Sequence, residues 1–144
     1  MSNTQEIIAV LNKTPLFQSL KQRQLESLAT RFVEREFATG DAIVTQGKGG
    51  VGLFIIVSGK AQAIRTHVDG SQTVLNPLGP TDFFGELALL TDATRTASVV
   101  ATEPTNCLVL TQWDFLGILR QDADMAVTIL QELAGRFSHV MSMM

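Results

Sequence analysis

Residues 83–99 read Phe-Phe-Gly-Glu-Leu-Ala-Leu-Leu-Thr-Asp-Ala-Thr-Arg-Thr-Ala-Ser-Val, and the reading of the fold turns on them. Strand-like runs stand on both sides, so the stretch from Gly85 to about Leu90 predicts one short helical turn set into a β structure. The first N–H groups of such a turn lack intrahelical partners, and its dipole presents positive potential there. Gly85 has no Cβ, which allows a ligand close to the backbone. Ten residues on comes Arg95, the only lysine or arginine between Arg65 and Arg120. Its planar fork donates two parallel, charge-assisted hydrogen bonds to phosphate oxygens. A helix start plus one arginine makes a compact site for a single phosphate. Glu86 is out of place beside an anion unless its carboxylate accepts from a different group, and a sugar hydroxyl meets that requirement.

Outward from this stretch, short β-type runs cover Val33–Phe37, Ala42–Thr45, Leu53–Val57, Ala61–Thr66, Thr73–Leu75, Ala97–Ala101 and Cys107–Thr111. Turn formers separate them at Gly40-Asp41, Gly47 to Gly52, Ser58-Gly59, Asp69-Gly70 and Pro77 to Thr81. Many short strands with frequent glycine turns imply an antiparallel sandwich or jelly roll rather than a parallel sheet. Helical spacing governs both ends. Ile7, Ile8, Val10 and Leu11 cluster before Thr14-Pro15, and Leu25, Leu28, Ala29 and Phe32 recur after it, with Ser19 as the expected cap and Gln22 at the capping-box position. Asp114 opens a short helix ending near Arg120, and Asp122 or Asp124 caps a last one. There Ala126, Leu130, Leu133, Phe137, Val140 and Met144 follow a heptad rhythm, with Met125, Ile129, Met141 and Met143 off the stripe.

The expected organisation is a single domain, residues 1–144: N-terminal helices over 1–32, an antiparallel jelly-roll β-barrel over 33–111, and C-terminal helices over 112–144. The composition, 45% hydrophobic and 17% charged, is that of a globular chain. Fourteen acids against eleven bases leave a net charge of −3, which argues against a broad nucleic-acid-binding face. One cysteine, Cys107, forms no internal disulfide and points to a reducing compartment. The start lacks the basic, apolar pattern of a signal peptide, and no run approaches the length of a membrane span. A cytoplasmic protein is the expectation. The mean hydropathy of +0.20 hints that some apolar surface meets a partner.

Phe-Gly-Glu-Leu-Ala-Leu-Leu followed by Arg-Thr-Ala-Ser-Val resembles the phosphate-binding cassette (residues 84–99) of cyclic nucleotide-binding domains, which occur in catabolite-activator-type transcription factors, kinase regulatory subunits and gated channels. Gly40, Gly47, Gly59 and Gly85 match the glycine punctuation of that family, and the resemblance extends over most of the chain. It implies a β jelly roll with flanking helices and a non-catalytic sensor binding cAMP, or cGMP, with no other cofactor. By the same resemblance Arg95 pairs with the cyclic phosphate and Glu86 with the ribose 2′-hydroxyl. Amides around Gly85, Leu87 and Ala97 complete the cradle, bordered by Phe84, Ala88 and Thr96. Alternation aims Ala63 and Leu75 at a place for the purine, though ordinary core explains them as well. Thr96 does not decide between adenine and guanine. Thr81 stands where the family commonly has glycine, Thr94 where it commonly has proline, and Gly49, Gly50 and Gly52 enrich the loop before the third strand.

Taken singly, Arg95 is a solvated surface arginine and Glu86 an acid favoured by a helix start; the intact cassette gives them a ligand. Phe83 and Phe84 read as core. His67 and His139 read as solvent-facing, Cys107 as an inert buried thiol, and no metal-ligand cluster or nucleophile elbow is visible. The last helix suggests a homodimer seam or packing back on the barrel, and an unidentified effector as the protein it acts on. A helix-turn-helix is absent, so direct DNA binding is not expected of this chain. The other readings are a degenerate jelly-roll interaction module and a metal-dependent enzyme of the cupin type.

Overall fold

The computed structural model describes residues 4–49, 51–92 and 94–144; Gly50 of the glycine-rich loop and Ala93 of the cassette lie outside them. The chain divides into two compact units. One is Phe32–Gln112. The other joins the helices up to Arg31 with Trp113–Met144.

The first unit holds eight strands: β1 (Val33–Phe37), β2 (Ala42–Val44), β3 (Gly52–Ser58), β4 (Ala61–Thr66), β5 (Gln72–Leu78), β6 (Phe83–Phe84), β7 (Ser98–Ala101) and β8 (Thr105–Thr111). They form two four-stranded antiparallel sheets, ordered β1-β8-β3-β6 and β2-β7-β4-β5. This is the mainly β, jelly-roll type of fold expected. β6, two residues long, is too short to leave a periodic signal and was not among the expected strands. Alternate positions on both sheets turn inward to one core of Ile43, Phe54, Ile56, Ala61, Val99, Ala101, Cys107 and Val109. Two of the four edge strands carry protection against edge pairing: Glu34, Arg35 and Glu36 lie exposed on β1, and β5 contains Pro77.

The second unit holds α1 (Thr4–Lys13), a 3₁₀ turn at Pro15–Phe17, α2 (Gln22–Ala29), α3 (Gln112–Gln121, its first residue belonging to the sheet unit) and α4 (Ala123–Ser142). Leu11, Leu16, Phe17, Leu25, Leu28, Phe115, Met125 and Ile129 form its fully buried side chains. Phe17 meets Phe115 edge to face, centroids 5.8 Å apart at 68°. Asp122 caps α4, its Oδ1 accepting from the Met125 N–H at 3.0 Å. Ser19 does not cap α2. The chain runs extended through Lys21, so the helix starts at Gln22, two residues later than a Ser19 cap implies, and Gln24 Oε1 accepts the Lys21 N–H at 2.9 Å. Ser19 instead donates through Oγ to Glu132 Oε1 on α4 at 2.7 Å.

On α4 the apolar residues separate into two sets. Met125 and Ile129 are buried, whereas Leu130, Phe137 and Val140 of the heptad stripe are exposed, Phe137 to 66%, as is Met144 just past the helix end. Ala126 and Leu133 are half-buried. No helix among the described residues is long and apolar enough to cross a membrane.

Candidate functional site

β6 delivers the chain to the cassette. Its Phe84 pairs with Phe54 on β3, and the two rings stack with centroids 5.2 Å apart and planes 3° from parallel. Phe84 is thereby spoken for by the core. The backbone then reverses at Gly85, whose φ of +86° is a left-handed conformation that a side chain disfavours. A 3₁₀ turn follows at Glu86–Leu89, closed by the Ala88 N–H donating to the Gly85 carbonyl at 3.0 Å. Ala88 is buried and its amide is engaged in this way. A four-residue turn sums few peptide dipoles, so the positive character here comes from Arg95 more than from a helix end.

Arg95 is held from two sides. Its backbone N–H donates to the Lys48 carbonyl and its carbonyl accepts the Gly47 N–H, both at 2.9 Å. Its Nη2 donates to the Gly52 carbonyl at 2.9 Å. A Cβ on Gly85 would collide with Arg95 Nη1 and lie 2.6 Å from the Gly52 carbonyl oxygen, so the guanidinium packs directly on the bare backbone of the turn. A side chain on Gly52 would in turn run into the Leu110 carbonyl of β8, which lets β3 and β8 approach closely here. Arg95 Nε is buried and has no hydrogen-bond partner. Burial draws the Arg95 pKa below its ordinary value, and a guanidinium remains charged at neutral pH. A cation already stripped of part of its water, with a donor unmet, is a receptor for an oxyanion.

Around this pair, Glu86 is half-buried and makes no hydrogen bond or ion pair among the described residues. Leu87 is 52% exposed, Thr96 is exposed, and Ala97 is half-buried. Ala63 pairs with Val99 on β7, two residues beyond Ala97, and packs against the core. Leu75 comes beside it because the β4–β5 register slips between Gln62↔Pro77 and Ile64↔Val74, leaving Ala63 opposite Leu75 and Asn76. Three supports escaped the sequence reading: the Gly52 carbonyl, the Gly47–Lys48 backbone clamp, and Arg65, whose Nε donates to the Thr96 carbonyl at 3.3 Å. The glycines at 47–52 were the sequence signal for the first two, and Arg65 had none.

Elsewhere, His67 Nε2 lies 2.6 Å from Thr73 Oγ1, and both histidines are exposed. Cys107 is fully buried, and burial pushes its thiol up to about 11. Among the described residues no three His, Cys, Asp or Glu gather as metal ligands do.

Comparison with known proteins agrees with this geometry. The sequence pattern of the cyclic nucleotide-binding domain matches residues 34–122, from β1 through α3. The chain is 37% identical over 108 residues to the cyclic AMP receptor protein of Thermus thermophilus, covering 75% of this chain and 50% of that one. It is 38% identical over 96 residues to a cAMP-dependent protein kinase regulatory subunit of Mycosarcoma maydis, covering 67% of this chain and 18% of that one. It thus spans half the length, or less, of these curated relatives. In three dimensions it is similar to the N-terminal domain of a transcriptional regulator from Streptomyces coelicolor, with a TM-score of 0.81 and 30% identity over 91% of this chain and 94% of that one. A cassette built on Gly85 and Arg95, set between β6 and β7 of paired four-stranded sheets, is accounted for by common descent: the chain belongs to the cyclic nucleotide-binding domain family.

Proposed function

We propose that the chain is a non-catalytic sensor that binds a cyclic mononucleotide, cAMP before cGMP, at the cassette. The observation that carries this reading is Arg95: half-buried, packed on Gly85, anchored by one nitrogen to Gly52, and holding a buried Nε with no partner. An exocyclic phosphate oxygen supplies what that nitrogen lacks. Glu86, unengaged beside it, accepts from the ribose 2′-hydroxyl, and the backbone around Leu87 and Ala97 closes the cradle. The purine lies by Ala63, Leu75 and Thr96. The preference for cAMP follows the two relatives above, one named as a cyclic AMP receptor and the other as a regulatory subunit of a cAMP-dependent kinase. Those names also favour regulation over catalysis.

Binding is relayed to α4, whose exposed stripe, centred on Leu130 and Phe137, pairs with a second copy of the chain and passes the signal to an effector protein in the cytoplasm. A thermal-shift screen with cAMP, cGMP and cyclic dinucleotides tests the reading. A ligand present at 100 times its Kd adds about 2.7 kcal/mol of apparent stability by mass action. Stabilisation by cAMP, and less by cGMP, is the expected result. No response to any cyclic mononucleotide overturns it in favour of an interaction module.

A further inference from the structure

A recessed site lies within the helical unit, away from the cassette residues in sequence and built by different elements. It is a groove of about 520 Å³ along α4, bordered by Ser19 from the segment between the 3₁₀ turn and α2. That volume is in the range that holds small organic ligands. Three features give it chemistry. Arg136 lines it, and its Nη1 is buried without a hydrogen-bond partner; among the described residues the guanidinium makes no ion pair. His139, one helical turn on, lines it too. Gly135 contributes no side chain, and a Cβ built there meets nothing within 4 Å, so the wall is open at that point.

The acid nearest along the helix, Glu132, also lines the groove but makes no ion pair with Arg136. Glu132 lies one turn back, but its carboxylate is taken by Ser19 Oγ at 2.7 Å and Gln18 Nε2 at 3.3 Å. A guanidinium with a desolvated nitrogen and no carboxylate of its own is half of an ion pair. Val140 at the end of the groove offers apolar surface for a carbon skeleton.

We propose that this groove binds a small organic oxyanion, its carboxylate or phosphoryl group on Arg136 and His139 and its body against Val140. The site is independent of the nucleotide reading of the cassette. A ligand seated here touches both α4 and the Ser19 segment, and so fastens the N-terminal helices to α4 in addition to the Glu132 bonds.

Citrate and inorganic phosphate are the probes, titrated into the full chain with amide chemical shifts as readout, up to about 20 mM, a weak-binding limit near −2 to −3 kcal/mol. The expected result is a saturable response at residues 128–140, stronger for whichever oxyanion class the groove prefers. Arg136→Gln weakens it at least about tenfold. Gly135→Leu, which fills the groove while improving helix propensity, abolishes it and keeps the chain folded. Arg95→Ala leaves it unchanged, which separates it from any phosphate bound at the cassette. No saturable response to either probe overturns the proposal. So does a response that survives Arg136→Gln and Gly135→Leu, or one that disappears with Arg95→Ala.

Discussion

Gly85 and Arg95 occupy complementary space: the volume in which a Gly85 side chain would stand is filled by the Arg95 guanidinium. Gly85→Ala therefore displaces the arginine from its Gly52 anchor and also places a side chain at φ +86°, a strain of about 1–2 kcal/mol. Two readouts separate the effects. Chemical denaturation shows the stability loss, and nucleotide titration shows a larger loss of affinity than that strain accounts for, at least about tenfold.

Arg95→Ala removes the cation itself. For a partly desolvated charge pair, truncation costs about 2–5 kcal/mol of binding. Calorimetric titration with cAMP reads this directly. An affinity within a few-fold of the parent shows that the phosphate lies elsewhere. Arg95→Lys keeps the charge but loses the fork, and falls between the two.

Thr81 is the one described residue other than glycine with positive φ, at +73°. Its N–H is tied to the Ile56 carbonyl at 2.9 Å, so the turn cannot relax by moving it. Thr81→Gly relieves the strain of a branched side chain there and stabilises the chain by up to about 1 kcal/mol once the added freedom of the unfolded glycine is subtracted, which chemical denaturation reads as a higher midpoint.

Cys107 gives the protein an alkaline limit. Its thiol titrates near 9.0 when exposed and at about 11 in the fold, because burial disfavours the thiolate. Between these values the unfolded chain releases a proton that the folded chain keeps. This contribution is therefore flat below pH 9 and destabilises progressively as pH rises towards 11. Cys107→Ala flattens that arm of the stability profile. The native thiol resists an aromatic disulfide reagent and reacts fully once the chain is denatured.

The exposed stripe on α4 predicts self-association. Leu130→Glu and Phe137→Glu each place a charge on it, at positions 64% and 66% exposed, so neither disturbs the monomer. Sedimentation of the parent as a dimer and of both variants as monomers is the expected outcome. A monomeric parent removes the seam.

The strands were legible where alternation ran for four residues or more: Val33–Phe37 and Ala61–Thr66 have the bounds that hydrophobic period and glycine turns indicate. β6 was not, since two residues carry no period and only its ladder to Phe54 and Ile55 defines it. The Ser19 cap failed for a related reason. A capping pattern is local, while the actual choice was made by Gln24 reaching back to Lys21 and by Glu132, 113 residues away, claiming the serine. In the cassette, Gly85 and Arg95 were readable because each needs a particular residue type. The Gly52 carbonyl was not, because every residue has a carbonyl and only the fold decides which one faces a guanidinium.

The Gly47–Lys48 clamp has a kinetic meaning. With both backbone polar groups of Arg95 bonded to that loop at 2.9 Å, the main chain at this end of the cassette is fixed before any ligand arrives. What can still adjust is the Arg95 side chain, held by its one hydrogen bond to Gly52, and that is a smaller and faster change than rebuilding a loop over microseconds. On the proposed reading of the cassette, a ligand meets a main chain already in place at Arg95, and only the guanidinium has to adjust to it.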